Sequence, residues 1–197
     1  MTGPLLASYV ALWVLVIVEA VAIFALYRHF GEMYLNSREG RESQGPELDS
    51  ALKPAKVQNI AGSTLHLPVA GKPAIMVFAS TDCTLCDELR PDLSTFAETH
   101  PEIRTFLICA GHREGVASWA DGLSEAIKIV PDPSYRIAAR YGIGVTPFLV
   151  GADETATVRT KGIVNSLRGL EAAAEQTLSR GKQDDERHLV QMEERRQ

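Results

Sequence analysis

The sequence predicts an α/β domain with a mixed central sheet flanked by helices, preceded by one N-terminal transmembrane helix. Three observations lead to this fold class. Residues 5–26 are almost wholly apolar, strand-like and helix-like segments alternate over residues 57–178, and the alternation closes with two strand-like runs and a helix. Strands joined by helices pair in parallel, whereas a closing hairpin is antiparallel, so the sheet is expected to be mixed.

The apolar stretch over residues 5–26 predicts a membrane anchor, because about twenty helical residues span a bilayer core. No Lys or Arg precedes it and no small-x-small cleavage site follows it, which favours an uncleaved anchor over residues 1–30 rather than a signal peptide. Its one charged residue is Glu19. Two interpretations stay open: a protonated carboxyl tolerated within the span, or a contact with a polar group of a partner membrane protein.

Two further segments flank the predicted domain. Residues 31–56 contain charges, glycines and prolines with little periodicity, and they predict a tether. Residues 179–197 are charged and mixed in sign, which is typical of a solvated helix or a disordered tail. The arginines that follow the apolar stretch have no basic counterpart before it, and this bias taken alone would place the domain in the cytoplasm.

Within the domain, short apolar runs alternate with segments of helical periodicity. The predicted elements are a β-hairpin at residues 57–60 and 64–67, a buried strand at 74–79, a helix to about 100, a strand at 104–109, a helix at 116–123, a strand at 126–130, a helix at 135–141, strands at 143–150 and 156–161, and a helix at about 167–178.

Particular residues mark the boundaries of these elements. Pro91 is expected to kink the first helix or to mark a join. Ser134 is expected to cap the third helix, and Gly162 to break the last strand. Asn165 or Ser166 is the expected cap of the last helix.

Composition limits the classes of function. The chain has 197 residues and a formal net charge of −5. Its charges form no basic stripe interleaved with aromatic residues, so nucleic-acid binding is not indicated. Three cysteines are too few for a disulfide-stapled small domain, and they fit one reversible pair plus an odd thiol.

A Cys-x-x-Cys pair follows the buried strand. Because Ser80-Thr81-Asp82 are helix-capping residue types, Cys83 is expected in the first turn of the next helix. Unpaired backbone N–H groups and the helix dipole stabilise a thiolate there, whereas the neighbouring carboxylate of Asp82 opposes it. The pattern predicts redox chemistry, with Cys83 as the nucleophile and Cys86 as the resolving thiol. Oxidation, reduction and isomerisation of a substrate are all compatible with it.

With these features the chain resembles the thioredoxin fold and, within it, the membrane-tethered TlpA-like proteins. The resemblance covers residues 57–178 and rests on the strand before the cysteines, the cysteine pair, Pro91, and Thr146-Pro147 ahead of a ββα ending. In such proteins the proline that corresponds to Pro147 is cis and faces the cysteines. The resemblance therefore implies that Thr146 and Pro147 bind substrate, with the Thr146 backbone pairing with an extended segment.

Two end segments are similar to the MauD family, accessory proteins of methylamine dehydrogenase maturation. These segments are Leu12-Trp13-Val14-Leu15-Val16 with Ala25-Leu26-Tyr27-Arg28-His29-Phe30-Gly31, and Lys161-Gly162-Ile163-Val164-Asn165. MauD proteins usually carry proline after the first cysteine, where this chain has Thr84. The resemblance implies a single-pass inner-membrane protein whose domain faces the periplasm. It implies no cofactor, a cysteine-containing substrate such as the methylamine dehydrogenase small subunit, and a membrane redox partner.

The main alternative is a structural zinc-binding or non-catalytic interaction module. Cys83, Cys86, Cys109 and His112 form two close pairs with a spacing that can hold zinc. The first pair, however, opens a helix after a buried strand, whereas zinc-binding cysteines usually lie on a knuckle turn. Taken singly, Cys109 is expected to be an inert buried thiol and His112 a loop residue.

A peroxide-reducing site is a third class. Such a site needs a Thr and a Pro arranged ahead of Cys83, as in peroxiredoxins. Met76 and Ser80 occupy those places. The sequence therefore favours dithiol exchange over peroxide chemistry.

Overall fold

The computed structural model describes residues 9, 12–21, 23, 44–67 and 71–194, and of residues 182–194 the backbone alone. The chain divides into two compact units, residues 1–43 and 44–197. In the first unit, residues 12–21 are helical and their apolar side chains are exposed. Within the described ranges, no helix combines the length and the apolar character needed to cross a bilayer.

Several predictions on the N-terminal part lie outside the described residues. The ends of the predicted span, at residues 5–8 and 24–26, are among them, as are the first part of the predicted tether, 31–43, and the end segment 25–31. The last three residues of the predicted tail are also outside the description.

A five-stranded mixed sheet forms the centre of the second unit, as predicted. Its strands are β3 (Ala74–Ser80), β4 (Arg104–Ala110), β5 (Lys128–Pro131), β6 (Phe148–Ala152) and β7 (Val158–Ile163), in the order β5-β4-β3-β6-β7. The pairs β3–β4 and β4–β5 are parallel, whereas β6 is antiparallel to both of its neighbours. The predicted hairpin also forms, with β1 (Ala55–Gln58) antiparallel to β2 (Thr64–Leu67) in a separate sheet.

The described part of this unit also contains four helices. They are α1 (Thr84–Thr99), α2 (Arg113–Trp119), α3 (Arg136–Arg140) and α4 (Leu167–Glu194). α1 continues through Pro91 and ends at His100, so the proline does not mark a join. α4 extends well beyond the predicted end at residue 178 and includes most of the predicted tail.

The central strand β3 is buried on both faces. Its side chains alternate between two hydrophobic clusters, one containing Val77 with α1 and α4 and the other containing Phe78 with Phe106 and Phe148. This double burial explains why β3 is a continuous apolar run. The cysteine pair follows directly after the carboxyl end of β3.

Three predicted boundaries are corrected by the structure. Pro131 belongs to β5 rather than stopping it, because β5 lies at the sheet edge where a missing N–H group is tolerated. β7 continues through Gly162, which pairs with Leu149 of β6. α3 begins at Arg136 after Tyr135, and Ser134 makes no capping hydrogen bond; the Asp132 carboxylate accepts the N–H groups of the first turn instead.

The second compact unit starts at Gln44, upstream of the predicted hairpin. The Gly45 N–H donates to the carbonyl of Gly142 at 2.9 Å, and the Gly144 N–H donates to Gln44 Oε1 at 2.9 Å. Farther along, the Asp49 N–H donates to the Val158 carbonyl at 2.8 Å. Residues 44–52 are therefore fixed against β7 and against the loop that leads to Thr146.

Candidate active site

Cys83 and Cys86 are joined by a disulfide at the carboxyl end of β3, with their Cα atoms 5.2 Å apart. A turn of three residues separates Ser80, the last residue of the strand, from Thr84, the first residue of α1. Cys83 is the N-cap residue of α1 rather than a residue of its first turn. Its Sγ accepts the backbone N–H of Cys86 at 3.3 Å, so the sulfur takes the place that a Ser or Asp oxygen usually has.

The two sulfurs differ in their access to solvent. Cys83 is partly exposed, whereas Cys86 is only 2% exposed and packs in the cluster under α1. A substrate sulfur can therefore reach Cys83 and not Cys86. The roles of nucleophile for Cys83 and resolving thiol for Cys86 stay predictions, and this difference in access is what they require.

Thr146 and Pro147 face the pair from the loop before β6. The Thr146–Pro147 peptide bond is cis, as the resemblance implies. The carbonyl oxygen of Thr146 lies 3.7 Å from Cys83 Sγ. The structure thus brings together the four residues that the sequence singled out, with Thr146 half-buried and Pro147 buried.

A cavity of about 240 Å³ opens beside the exposed sulfur. Cys83, Asp82, Thr146 and Tyr135 are among the residues that line it. Tyr135 is 55% exposed and has a left-handed backbone, with φ of 52°. A bulky residue rarely adopts this conformation, so Tyr135 is an unusual part of the cavity wall.

Sequence reasoning missed Tyr135 and Asp132 as site residues. Asp132 is 3% exposed and also lines the cavity. Its Oδ2 accepts the N–H groups of Ile137 and Ala138 at 2.9 and 3.0 Å, which holds the loop carrying Tyr135. The sequence signal that could have identified Asp132 is a capping residue type between two prolines, Pro131-Asp132-Pro133, ahead of a short helix.

A polar cluster covers the buried side of the pair. The Trp119 indole N–H donates to the Asp87 carboxylate, and the Arg90 guanidinium lies 5.2 Å from the centre of the indole ring. Arg90 also donates to the carbonyl of Asp121 at 2.6 Å. A small space of about 10 Å³ is lined by Trp119, Arg90 and Cys86. Trp119 and Arg90 thus lie beside the resolving cysteine, which is 2% exposed.

Cys109 is a buried free thiol on β4. Burial, and then the negative charge of Asp87, raise its pKa to about 12. A thiol of this kind stays protonated at neutral pH and is a poor nucleophile and a poor metal ligand. This agrees with the prediction of an inert core cysteine.

The proposed zinc ligands are not assembled into a site. Cys83 and Cys86 form a disulfide, Cys109 is buried, and His112 is the exposed N-cap residue of α2. In the part of the chain that the structure describes, no three His, Cys, Asp or Glu side chains group to hold a metal ion. A peroxide-reducing site needs a Thr and a Pro ahead of Cys83, and Met76 stands in one of those two places. Its side chain is buried in the core.

The arrangement is suited to thiol–disulfide exchange. In the dithiol form, a Cys83 thiolate would accept the Cys86 N–H at the start of α1, where the helix dipole favours a negative charge. The resolving sulfur is one turn away and shielded from solvent. The half-open cavity leaves room for the substrate sulfur on the side of Cys83 that faces Thr146.

Comparison with known proteins agrees with this fold and motif. No protein-family model matches the chain. The methylamine utilization protein MauD of Paracoccus versutus is 25% identical over 175 residues, which is 87% of this chain and 88% of the relative.

Solved structures give the same fold. A secreted disulfide oxidoreductase of Mycobacterium tuberculosis, homologous to DsbE of E. coli, has a TM-score of 0.52 at 21% identity, covering 60% of this chain and 95% of the other. A protein disulfide isomerase candidate from Bacteroides thetaiotaomicron has a TM-score of 0.63 at 16% identity, covering 74% and 98%. The chain therefore has a thioredoxin-like fold and is similar over most of its length to the MauD proteins.

Proposed function

We propose that this protein is a membrane-tethered thiol–disulfide oxidoreductase that acts through Cys83 and Cys86. The observation that carries the proposal is the asymmetry of the pair. Cys83 is partly exposed at the N-terminus of α1, 3.7 Å from the Thr146 carbonyl and beside a cavity, whereas Cys86 is buried behind it. No feature of the described residues favours zinc binding as a second candidate.

The exchange proceeds in two displacements. The Cys83 thiolate attacks one sulfur of a substrate disulfide, forming a mixed disulfide and releasing the other substrate sulfur as a thiolate. The Cys86 sulfur then attacks Cys83, forming the Cys83–Cys86 disulfide and releasing the second substrate sulfur, which takes up the proton of the Cys86 thiol. Two electrons pass from the dithiol to the substrate, and the reverse sequence oxidises a substrate dithiol.

Thiol trapping across a glutathione redox series tests this activity. The wild type should show one two-electron transition, and Cys83→Ser should abolish it. Cys109→Ala is the matched control, because it also removes one sulfur but from a site outside the pair, and it should leave the midpoint unchanged. Stoichiometric bound zinc, or no transition in the wild type, would rule out the proposed activity.

For the substrate, we propose a cysteine-containing periplasmic protein of amine oxidation, specifically the small subunit of methylamine dehydrogenase. Support comes from the MauD relatives, which are named as methylamine utilization proteins, and from the end segments of this chain. In this proposal the apolar stretch over residues 5–26 anchors the protein in the inner membrane, and the domain faces the periplasm. After each exchange, a membrane redox partner would return Cys83 and Cys86 to their starting form, either disulfide or dithiol.

Two experiments test this assignment. Cys86→Ser in the native host should accumulate a mixed disulfide between Cys83 and the substrate, which mass spectrometry identifies; Cys83→Ser should accumulate none. A membrane-impermeant maleimide should label reduced Cys83 in intact spheroplasts. Labelling only after lysis would place the domain in the cytoplasm and exclude the maturation role.

A further inference from the structure

A second hollow adjoins the cavity beside Cys83. It encloses about 470 Å³ between the β1–β2 hairpin, the start of α2 and the loop that leads into α3. Asp132 lines both hollows, so the Pro131–Ile137 segment forms the wall between them. A polypeptide that reaches Cys83 and passes Tyr135 would enter this second hollow, which we call the basic groove.

Three cationic side chains line the basic groove: Lys56, Arg113 and Arg136. All three are exposed, on a chain whose overall charge is −5. Arg113 is held in place, because its guanidinium donates to the Ile60 carbonyl at 3.1 Å and to Gln58 Oε1 at 3.3 Å. The groove is thus a local concentration of positive charge on an acidic protein.

The other two cations, Lys56 and Arg136, have no polar partner among the described residues. Across the described residues, neither the Lys56 ammonium nor the Arg136 guanidinium has a hydrogen bond or an ion pair. Among the described residues, the one carboxylate that lines the groove is that of Asp132, which is 3% exposed and accepts two N–H groups of α3. It is directed into the fold and does not pair with the cations.

We propose that the basic groove binds carboxylate side chains of the protein substrate, in a segment that lies close to the substrate's reactive cysteine. This proposal rests on the proposed function, since it gives the groove a role in recognising the partner of Cys83. Exposed charge pairs of this kind contribute mainly to the rate of association and to the choice of partner. Without the groove, the net charge of the protein would disfavour an acidic substrate.

Two synthetic peptides test the proposal with the full chain. Each contains one cysteine in a disulfide with thionitrobenzoate, flanked by several glutamates in one peptide and by glutamines in the other. The reduced protein attacks this disulfide through Cys83 and releases the coloured thiol, after which Cys86 displaces the peptide thiol and the protein is left oxidised. The release rate is measured by absorbance.

The wild type should react faster with the acidic peptide at low salt, and the preference should fade as the salt concentration rises. The double variant Lys56→Gln/Arg136→Gln should lower the acidic-peptide rate about five- to tenfold and leave the neutral-peptide rate unchanged. Lys72→Gln is the matched control, because Lys72 is an exposed cation just before the opposite end of β3, and it should preserve the preference.

The outcomes separate the two proposals. No reaction with either peptide would overturn the proposed function itself. Equal rates with both peptides would overturn the proposed role of the basic groove and leave the proposed redox activity intact. The same holds if Lys72→Gln lowers the acidic-peptide rate as much as the double variant does. Binding of the wild type, but not of the double variant, to vesicles of phosphatidylglycerol and phosphatidylcholine, together with equal peptide rates, would reassign the groove to a membrane surface and overturn the proposal.

Discussion

At the scale of single residues, the two cysteines acquire different properties from their neighbours. Cys83 caps α1 at the surface, and Cys86 lies one turn later in the core. Each has an aspartate beside it in sequence. The Asp87 carboxylate accepts the indole N–H of Trp119, whereas the Asp82 carboxylate is exposed and has no partner among the described residues. The charge of Asp82 therefore acts on Cys83 without local compensation.

We predict that Asp82→Asn raises the reactivity of Cys83. Removing the negative charge beside the sulfur favours the thiolate, and since the site is open to solvent the gain should be about two- to threefold at neutral pH. The rate of iodoacetamide alkylation of the reduced protein, followed as a function of pH, measures this. The alkylation profile should move to lower pH.

Glu98→Gln provides the control, because it removes the same charge from an exposed position near the other end of α1. It should leave the profile in place. If Asp82→Asn alkylates at the wild-type rate across the pH range, the carboxylate does not oppose the thiolate, and the helix terminus alone sets the reactivity.

At the scale of elements, the loop before α3 organises the site more than the helix itself does. α3 has only five residues, and its N-cap residue Tyr135 makes no side-chain capping hydrogen bond. The buried carboxylate of Asp132 accepts the first N–H groups of the helix, and the same residue separates the cavity from the basic groove. One side chain thus fixes the wall shared by both hollows.

We predict that Asp132→Ala destabilises the domain by about 1–2 kcal/mol, the usual cost of losing a helix cap. Urea unfolding of the full chain measures the loss. The exchange rate with the acidic peptide should fall as well, because Tyr135 and Arg136 depend on this loop for their positions. The neutral peptide, which does not use the groove, should lose less.

Asp132→Asn is the informative companion, since its amide oxygen can still accept the N–H groups of Ile137 and Ala138. It should keep most of the stability and most of the peptide preference. Equal losses in the two variants would mean that the charge of Asp132, rather than its hydrogen bonds, holds the loop.

At the scale of the whole molecule, local patterns predicted the order of helices and strands along the chain and the cysteine pair, whereas the order of the strands in the sheet became known only from the structure. The apolar run of β3 and the helical spacing after it are local, so they were predictable. Ser134 and Asp132 are both capping residue types, and the structure shows that Asp132 accepts the first N–H groups of α3. No local signal indicates that residues 44–52 join the domain, because their partners lie about a hundred residues later.

Arg159 links that segment, through the exposed Asp49, to a buried ion pair with Asp153. Arg159 Nε donates to Asp153 Oδ2 at 2.6 Å, and its Nη1 donates to Asp49 Oδ1 at 2.9 Å. Burial alone would raise the pKa of Asp153, but hydrogen bonds from Thr155, from the Thr157 N–H and from Arg159, together with the charge of Arg159, lower it overall. The carboxylate is therefore stabilised in its charged form in the folded protein.

We predict that Asp153→Asn lowers the free energy of unfolding by about 3 kcal/mol at neutral pH, because Arg159 loses its buried counter-charge. A carboxylate whose pKa is lowered by folding stabilises the protein above its unfolded pKa, and this contribution is lost as the pH falls through the folded pKa. Urea unfolding at a series of acidic pH values should therefore show the wild type and the variant converging. Asp49→Asn removes the exposed partner of Arg159 and should lower the free energy of unfolding by under about 1 kcal/mol. If the loss of stability in Asp153→Asn persists unchanged at acidic pH, the ion pair is not its source.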